Sequence, residues 1–194
     1  MMDKPIYLTD ELIVGKGRDR ICYEHPHDSS LCIKVSISND KQSKREVSYF
    51  NFLNKTNTNL SKISVFRGKV KTNKGLGYTF DLIRDHDKKI SKTLRQCLEL
   101  QEFSIEWIQP QLNELKNYLI ANKICVRDIS PSNISCERTL NGVNLFIIDG
   151  VSNSNINPLT IRLQSLVNTS IDKAWKGLER KLARIERALM SNNE

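Results

Sequence analysis

Two apolar segments flank Arg127-Asp128, which begins an R-D-x-x-x-x-N spacing that ends at Asn133. A carboxylate at Asp128 could accept the proton of an attacking hydroxyl, as a general base set by placement more than by a shifted pKa. The carboxamide oxygen of Asn133 is a hard ligand suited to magnesium. Farther on, Asp149-Gly150 follows the apolar run LFII. A carboxylate at the end of a buried strand is costly unless a cation meets it, and magnesium bridging phosphates would be that cation. Near the amino end, Gly15 and Gly17 lie between two apolar runs, where glycine lets backbone N–H groups come close to phosphates. Lys34 sits in the apolar run CIKVSI, and Glu46 follows in a helical pattern. A lysine held by a helix glutamate can keep its ammonium over the α- and β-phosphates. Each feature alone has a plain alternative: a tight turn, a surface lysine, a solvated loop. Together they are what phosphoryl transfer requires, namely neutralised phosphates, a bridging metal and an aligned nucleophile.

The elements that must position these residues can be read from periodicity. ELIVGKGRDRICYEHP is an apolar run, a glycine-bearing turn and a second run. DSSLCIKVSI is a third strand, with Leu31, Ile33 and Val35 on one face and Lys34 on the other. SKREVSYFNFLNK has helical spacing, with Val47, Phe50 and Leu53 on one side. KISVFRGKVKT and GYTFDLI flank the turn NKGLG as an antiparallel hairpin. The order is therefore three strands, a helix and two strands. From Ile83 the polar stretch IRDHDKKIS reads as a hinge. Ser91 is placed to cap a helix carrying Leu94, Leu98 and Phe103, and Pro110 suits the first position of the next helix. VNLFIIDGV reads as a buried strand. Ile171, Ala174, Trp175, Leu178, Leu182, Ile185 and Leu189 form the apolar stripe of a long basic amphipathic helix. Trp107 and Trp175 both read as core.

Glycine turn, strand lysine, helix glutamate, hairpin, hinge, helix, R-D-x-x-x-x-N, strand, D-G: this order resembles the protein-kinase signature. It predicts an α+β, two-lobed protein-kinase-like fold. Residues 1–83 would form a small β-rich N-lobe with the glycine loop, Lys34 and Glu46. Residues 84–194 would form a short, mostly helical C-lobe with the catalytic loop 126–133, Asp149-Gly150 and the basic tail helix. ATP and Mg2+ would sit between them, held by Gly15, Gly17, Lys34 and Glu46 on one side and by Asp128, Asn133 and Asp149 on the other. The stretches GKGRDRICYEHPHDSSLCIKV, KREVSYF, GLGYTFDLIRD and RDISPSNI also resemble the PhoP regulatory network protein (YrbL) family, from about residue 8 to 160. That resemblance implies a kinase-like domain in a bacterial cytoplasm, linked to PhoP-controlled expression. It supplies no substrate.

The pattern departs from the kinase signature at several points. Arg20 stands where the third loop glycine belongs, which stiffens the loop or lets the arginine reach a phosphate. Val126 replaces a bracing histidine, and Ser130 replaces a lysine that would steady the transferred phosphoryl group. Asp149 is followed at once by glycine, no A-P-E motif is present, and VSNSNINPLT is short for a segment on which peptide substrates lie. Two readings follow: a phosphotransferase acting on a small hydroxylated substrate, or a catalytically weak pseudokinase that binds nucleotide or a regulatory partner. Composition narrows the rest. The chain of 194 residues has 39% hydrophobic residues, which fits a globular protein, and its formal net charge of +8 permits nucleic acid, an anionic membrane or nucleotide phosphates as partners but selects none of them. Five cysteines without C-x-x-C spacing point to free thiols in a reducing cytoplasm. The start lacks the apolar core of a signal peptide, and no run nears the roughly 20 apolar residues of a membrane span. Peripheral contact of the basic tail with an anionic membrane stays open, though packing explains the same pattern. Nucleic acid is not an expected partner, because no aromatic set interleaves the basic residues. His25 and His27 read as a solvated turn.

Overall fold

The structure is a computed structural model describing residues 4–152 and 164–191. Strands β1 (Ile13–Lys16), β2 (Arg20–Glu24), β3 (Leu31–Ser36), β4 (Phe66–Thr72) and β5 (Gly75–Asp81) form an antiparallel sheet in the order β1-β2-β3-β5-β4. Helix α1 (Lys41–Lys55) connects β3 to β4. The expected sequence of three strands, helix and hairpin is what forms. Helices α2 (Leu94–Glu99), α3 (Ile105–Ala121) and α4 (Gln164–Ser191) follow, with a second hairpin of β6 (Ile134–Thr139) and β7 (Gly142–Ile147) between α3 and α4. Among the described residues the fold is thus mixed α+β, with a mainly antiparallel sheet and four helices.

Side-chain alternation along the central strand β3 divides the interior. Ile33 and Val35 join Leu8 and Tyr23 in a small cluster on one face of the sheet. Cys32 points to the other face and joins Phe80 and Tyr78 in the main core, which runs through α1, α3, the second hairpin and α4. Lys34 shares that parity, so its stem lies against core rather than in water; it is buried. Buried Tyr49 of α1 crosses to the chain entering the loop of Asp128, where its hydroxyl accepts the Cys125 N–H at 2.8 Å. Burial raises the Tyr49 pKa, so the phenol stays neutral. Tyr49→Phe removes this acceptor from a buried N–H and is expected to cost about 1–3 kcal/mol in urea unfolding. An unchanged midpoint would show that the bond contributes nothing.

Several local expectations need correction. Thr93, not Ser91, caps α2, in a reciprocal capping box with Gln96. Ser91 instead donates to Asp85, and Phe103 lies beyond this short helix. Helix α3 starts at Ile105, where the Ser104 hydroxyl accepts the Trp107 N–H, so Pro110 falls inside the helix. The capping serine governs the start, so Pro110, on an exposed face inside the helix, forgoes the bond that an N–H there would make to the Glu106 carbonyl. Trp107 is half exposed and stacks on Phe103, whereas Trp175 is core. The polar stretch after Ile83, read as a hinge, is held by hydrogen bonds on both sides. Arg84 pairs with Glu24 and donates to the Ser29 and Lys88 carbonyls, and Asp85 accepts the Arg138 N–H. In α4, Ile171, Ala174, Trp175, Leu178 and Leu182 are buried as the stripe predicts. All five cysteines are free thiols. Among the described residues no helix is long and apolar enough to cross a membrane. Most of VSNSNINPLT lies outside the described residues.

Candidate functional site

The turn between β1 and β2, the inner end of β3 and the loops around residues 127–133 and 148–150 enclose a cleft of about 1420 Å³. Gly15, Gly17, Lys34, Asp128, Asn133 and Asp149 all line it. Glu46 is not among the lining residues; it is buried behind Arg20.

Pairing across the sheet explains why a basic pair faces this cleft. Cys22 lies opposite Lys34, and Arg20 lies opposite Ser36. Residues 20, 22, 34 and 36 therefore share one face, the face of the main core and the cleft. Arg20 Nη1 donates to Glu46 Oε2 at 2.6 Å, and Nη2 donates to Asp149 Oδ1. The Gly150 N–H donates to the same oxygen at 2.6 Å. Lys34 Nζ donates to the Ile148 carbonyl at 2.6 Å and lies 4.2 Å from the centroid of the Phe80 ring. The expected Lys34–Glu46 hydrogen bond is thus replaced by Arg20–Glu46, with Lys34 stationed at the strand end that precedes Asp149. A planar guanidinium spans two carboxylates where an ammonium could address one squarely. Arg20 was legible as a missing glycine; its parity with Cys22 was the signal that it faces inward.

Charges in this cluster respond to burial and to each other. Burial pushes the Asp149 carboxyl up, but Lys34, Arg20 and the hydrogen bonds from Arg20 and Gly150 together hold it below the usual carboxylate range. Burial dominates at Glu46 and raises its pKa against the opposing pull of Lys34 and Arg20. Burial opposes the Arg20 charge, yet Glu46 and Asp149 keep the guanidinium firmly protonated.

The Asp128 loop is laced to the Asp149 segment. Arg127 N–H donates to the Gly150 carbonyl at 3.0 Å, and Ile148 N–H donates to the Asn133 carbonyl at 2.9 Å. Gly150 has φ +85, and a Cβ there would lie 2.5 Å from the Asp128 carbonyl oxygen. Only glycine allows the two backbones to approach so closely. Asn133 Nδ2 faces the Asp128 carbonyl at 3.5 Å, at the outer limit of a hydrogen bond. The Asp128 carboxylate accepts from Lys181 Nζ of α4 at 2.7 Å. Sequence reasoning missed this partner, because Lys181 lies on the polar flank of a basic helix where nothing distinguishes it from its neighbours.

A carboxamide and a carboxylate on two loops bonded to each other form a donor set that fits magnesium in kind. Both described hydrogen bonds to the Asp149 carboxylate fall on Oδ1. Among the described residues no three His, Cys, Asp or Glu side chains form a metal cluster. An ion here would therefore rely on Asn133, Asp149 and phosphate oxygens. Part of the charge that magnesium would supply at Asp149 is already supplied by Arg20.

Comparison with known proteins gives a consistent neighbourhood. A family profile described as PhoP regulatory network protein YrbL matches residues 6–183. The uncharacterized protein YrbL of Escherichia coli (strain K12) is 32% identical over 178 residues, covering 88% of this chain and 85% of that protein. The uncharacterized protein YrbL of Shigella flexneri matches with the same identity and coverage.

Proposed function

The chain belongs to the PhoP regulatory network protein YrbL family, and on that footing we propose that it is a kinase-like protein that binds ATP with magnesium in the cleft and transfers phosphate to a small hydroxylated substrate. The observation that carries this reading is the meeting of Lys34, Asp128, Asn133 and Asp149 on one cleft beneath the Gly15–Gly17 turn. The order of elements supports a two-lobed, protein-kinase-like arrangement, with residues 1–83 above the cleft and 84–194 below. A cytoplasmic setting belongs to the same reading, since five free thiols suit a reducing compartment.

Each residue has a task in this account. Lys34 would neutralise phosphate charge, and the N–H groups around Gly15 and Gly17 would approach the phosphates. Asn133 and Asp149 would hold magnesium, which supplies charge neutralisation between the phosphates when bound. Asp128 would accept the hydroxyl proton as the substrate oxygen bonds to the γ-phosphorus and the bond to the β-phosphate oxygen breaks, releasing ADP. Arg20 would fix Glu46 and Asp149 in register.

A second reading, a pseudokinase that binds a nucleotide or partner without transfer, is favoured by the Arg20–Asp149 pair, because the magnesium ligand already holds a cation. Val126 and Ser130, which replace the bracing histidine and the assisting lysine, favour it too. Measuring ATP turnover over a panel of sugars, metabolites and lipids separates the two. Asp128→Ala is expected to lower the rate by about 10²- to 10⁴-fold, the usual contribution of a general base. Equal background rates in wild type and variant would leave the binding-module reading.

A further inference from the structure

Helix α4 reaches back to the loop that carries Asp128. Lys181 Nζ donates to Asp128 Oδ1 at 2.7 Å and to the Ile129 carbonyl at 3.2 Å. The two acceptors belong to adjacent residues, so one ammonium fixes both the carboxylate and the backbone just after it. Leu178 and Leu182, buried on either side of Lys181 in the sequence, fix the helix that delivers it.

The energetic worth of this contact is not mainly in stability. The Lys181 and Asp128 side chains are 38% and 68% exposed, and exposed ion pairs contribute little to folding. Geometry is what the contact supplies. Packing against Gly150 and the Arg127–Gly150 bond set the Asp128 backbone. The carboxylate itself remains free to rotate unless a donor holds it. Among the described residues Lys181 is the hydrogen-bond partner that holds it. Within the loop, Ser130 offers only a neutral donor.

We propose that Lys181 is a positioning residue, which aims the Asp128 carboxylate from the C-terminal helix and makes that helix part of the active unit. The proposal rests on Asp128 taking the hydroxyl proton. Lys181 does not line the cleft, so it acts through Asp128 rather than on substrate.

The test is ATP hydrolysis, with water as acceptor, by the full-length wild type, Lys181→Met, Lys181→Arg and the outer-face control Arg184→Met. Loss of alignment should lower kcat of Lys181→Met by about 10- to 100-fold, while KM for ATP stays near that of wild type. Lys181→Arg, which restores a donor to the same carboxylate, should recover most of the rate, and Arg184→Met should match wild type. Urea midpoints near wild type for all three variants would show that the fold is intact. A Lys181→Met kcat equal to wild type overturns the positioning role and leaves the nucleotide reading standing. The same holds for a loss that appears in KM, or one that Lys181→Arg fails to rescue. Wild type that binds Mg-ATP but turns over none, with water or with any hydroxylated acceptor of the panel, overturns it too, since no base is then at work. Wild type that neither binds nor hydrolyses removes both.

Discussion

Arg20→Ala is expected to destabilise the protein by about 3–5 kcal/mol, the cost of removing one member of a buried charge cluster. The guanidinium links Glu46 of α1 to Asp149 after β7, two carboxylates brought to one place by distant parts of the chain. Glu46 and Arg20 are almost wholly enclosed, with side chains 3% and 7% exposed. Without Arg20, Glu46 keeps its desolvation cost and loses its strongest hydrogen bond. Lys34 softens the loss but stays committed to the Ile148 carbonyl. Protonation offers Glu46 a second escape, and this gives the loss a pH dependence of definite sign. Burial already raises the Glu46 pKa above its unfolded value. Stability tied to the neutral form is therefore present at low pH and lost as pH rises through the folded value. Losing Arg20 moves that value higher still. Arg20→Ala should accordingly lose more stability at pH 8 than at pH 5. Arg20→Lys, which keeps the charge but not the fork, should fall between. Urea unfolding of the three proteins at both pH values measures this, and a loss below about 1 kcal/mol at pH 8 would place the pair among ordinary surface bridges.

Gly150→Ala is expected to cost much of the function for one added methyl group. Its φ of +85 lies where a side chain costs about 1–2 kcal/mol. The added Cβ would also lie 2.5 Å from the Asp128 carbonyl oxygen. That neighbour is backbone and cannot rotate aside, so the Asp128 loop and the Asp149 segment must move apart. The Arg127–Gly150 bond is the first to suffer. A displacement near 1 Å at the proposed base and metal ligands lowers turnover by about 10²-fold. Gly177→Ala is the control: a Cβ there meets nothing within 4 Å, and alanine in a helix is favoured over glycine by up to about 1 kcal/mol. Steady-state rates and melting curves for both variants check the contrast. Gly150→Ala with wild-type turnover would mean that the two loops need not touch for function.

What could be read from the sequence follows from how local each signal is. The order of β1–β3, α1 and the β4–β5 hairpin is written in short alternations and one turn, and it stands as read. The apolar stripe of α4 is long enough to announce itself, and its residues from Ile171 to Leu182 are buried as spaced. Residues that line the cleft were found because motif order ties Asp128, Asn133 and Asp149 to the glycine turn. Strand β6 was missed, though the Asn141-Gly142 dipeptide marks its hairpin turn. Caps at Thr93 and Ser104 were misplaced because neighbouring serines and prolines give competing signals at helix starts. Arg20 and Lys181 lay deeper. Each acts through a partner far along the chain, Asp149 for one and Asp128 for the other, and no local pattern encodes such a pairing.

The most direct test of the central claim is calorimetric titration of Mg-ATP into wild type, Lys34→Met and Asp149→Asn, each with magnesium and with EDTA. If one cleft holds the phosphates and the ion together, wild type binds one equivalent, binding falls sharply when magnesium is withdrawn, and either substitution weakens it by about tenfold or more, the loss of a charge-assisted contact. Wild type that takes up no nucleotide at millimolar concentration, or variants that bind as wild type does with and without the metal, would contradict it.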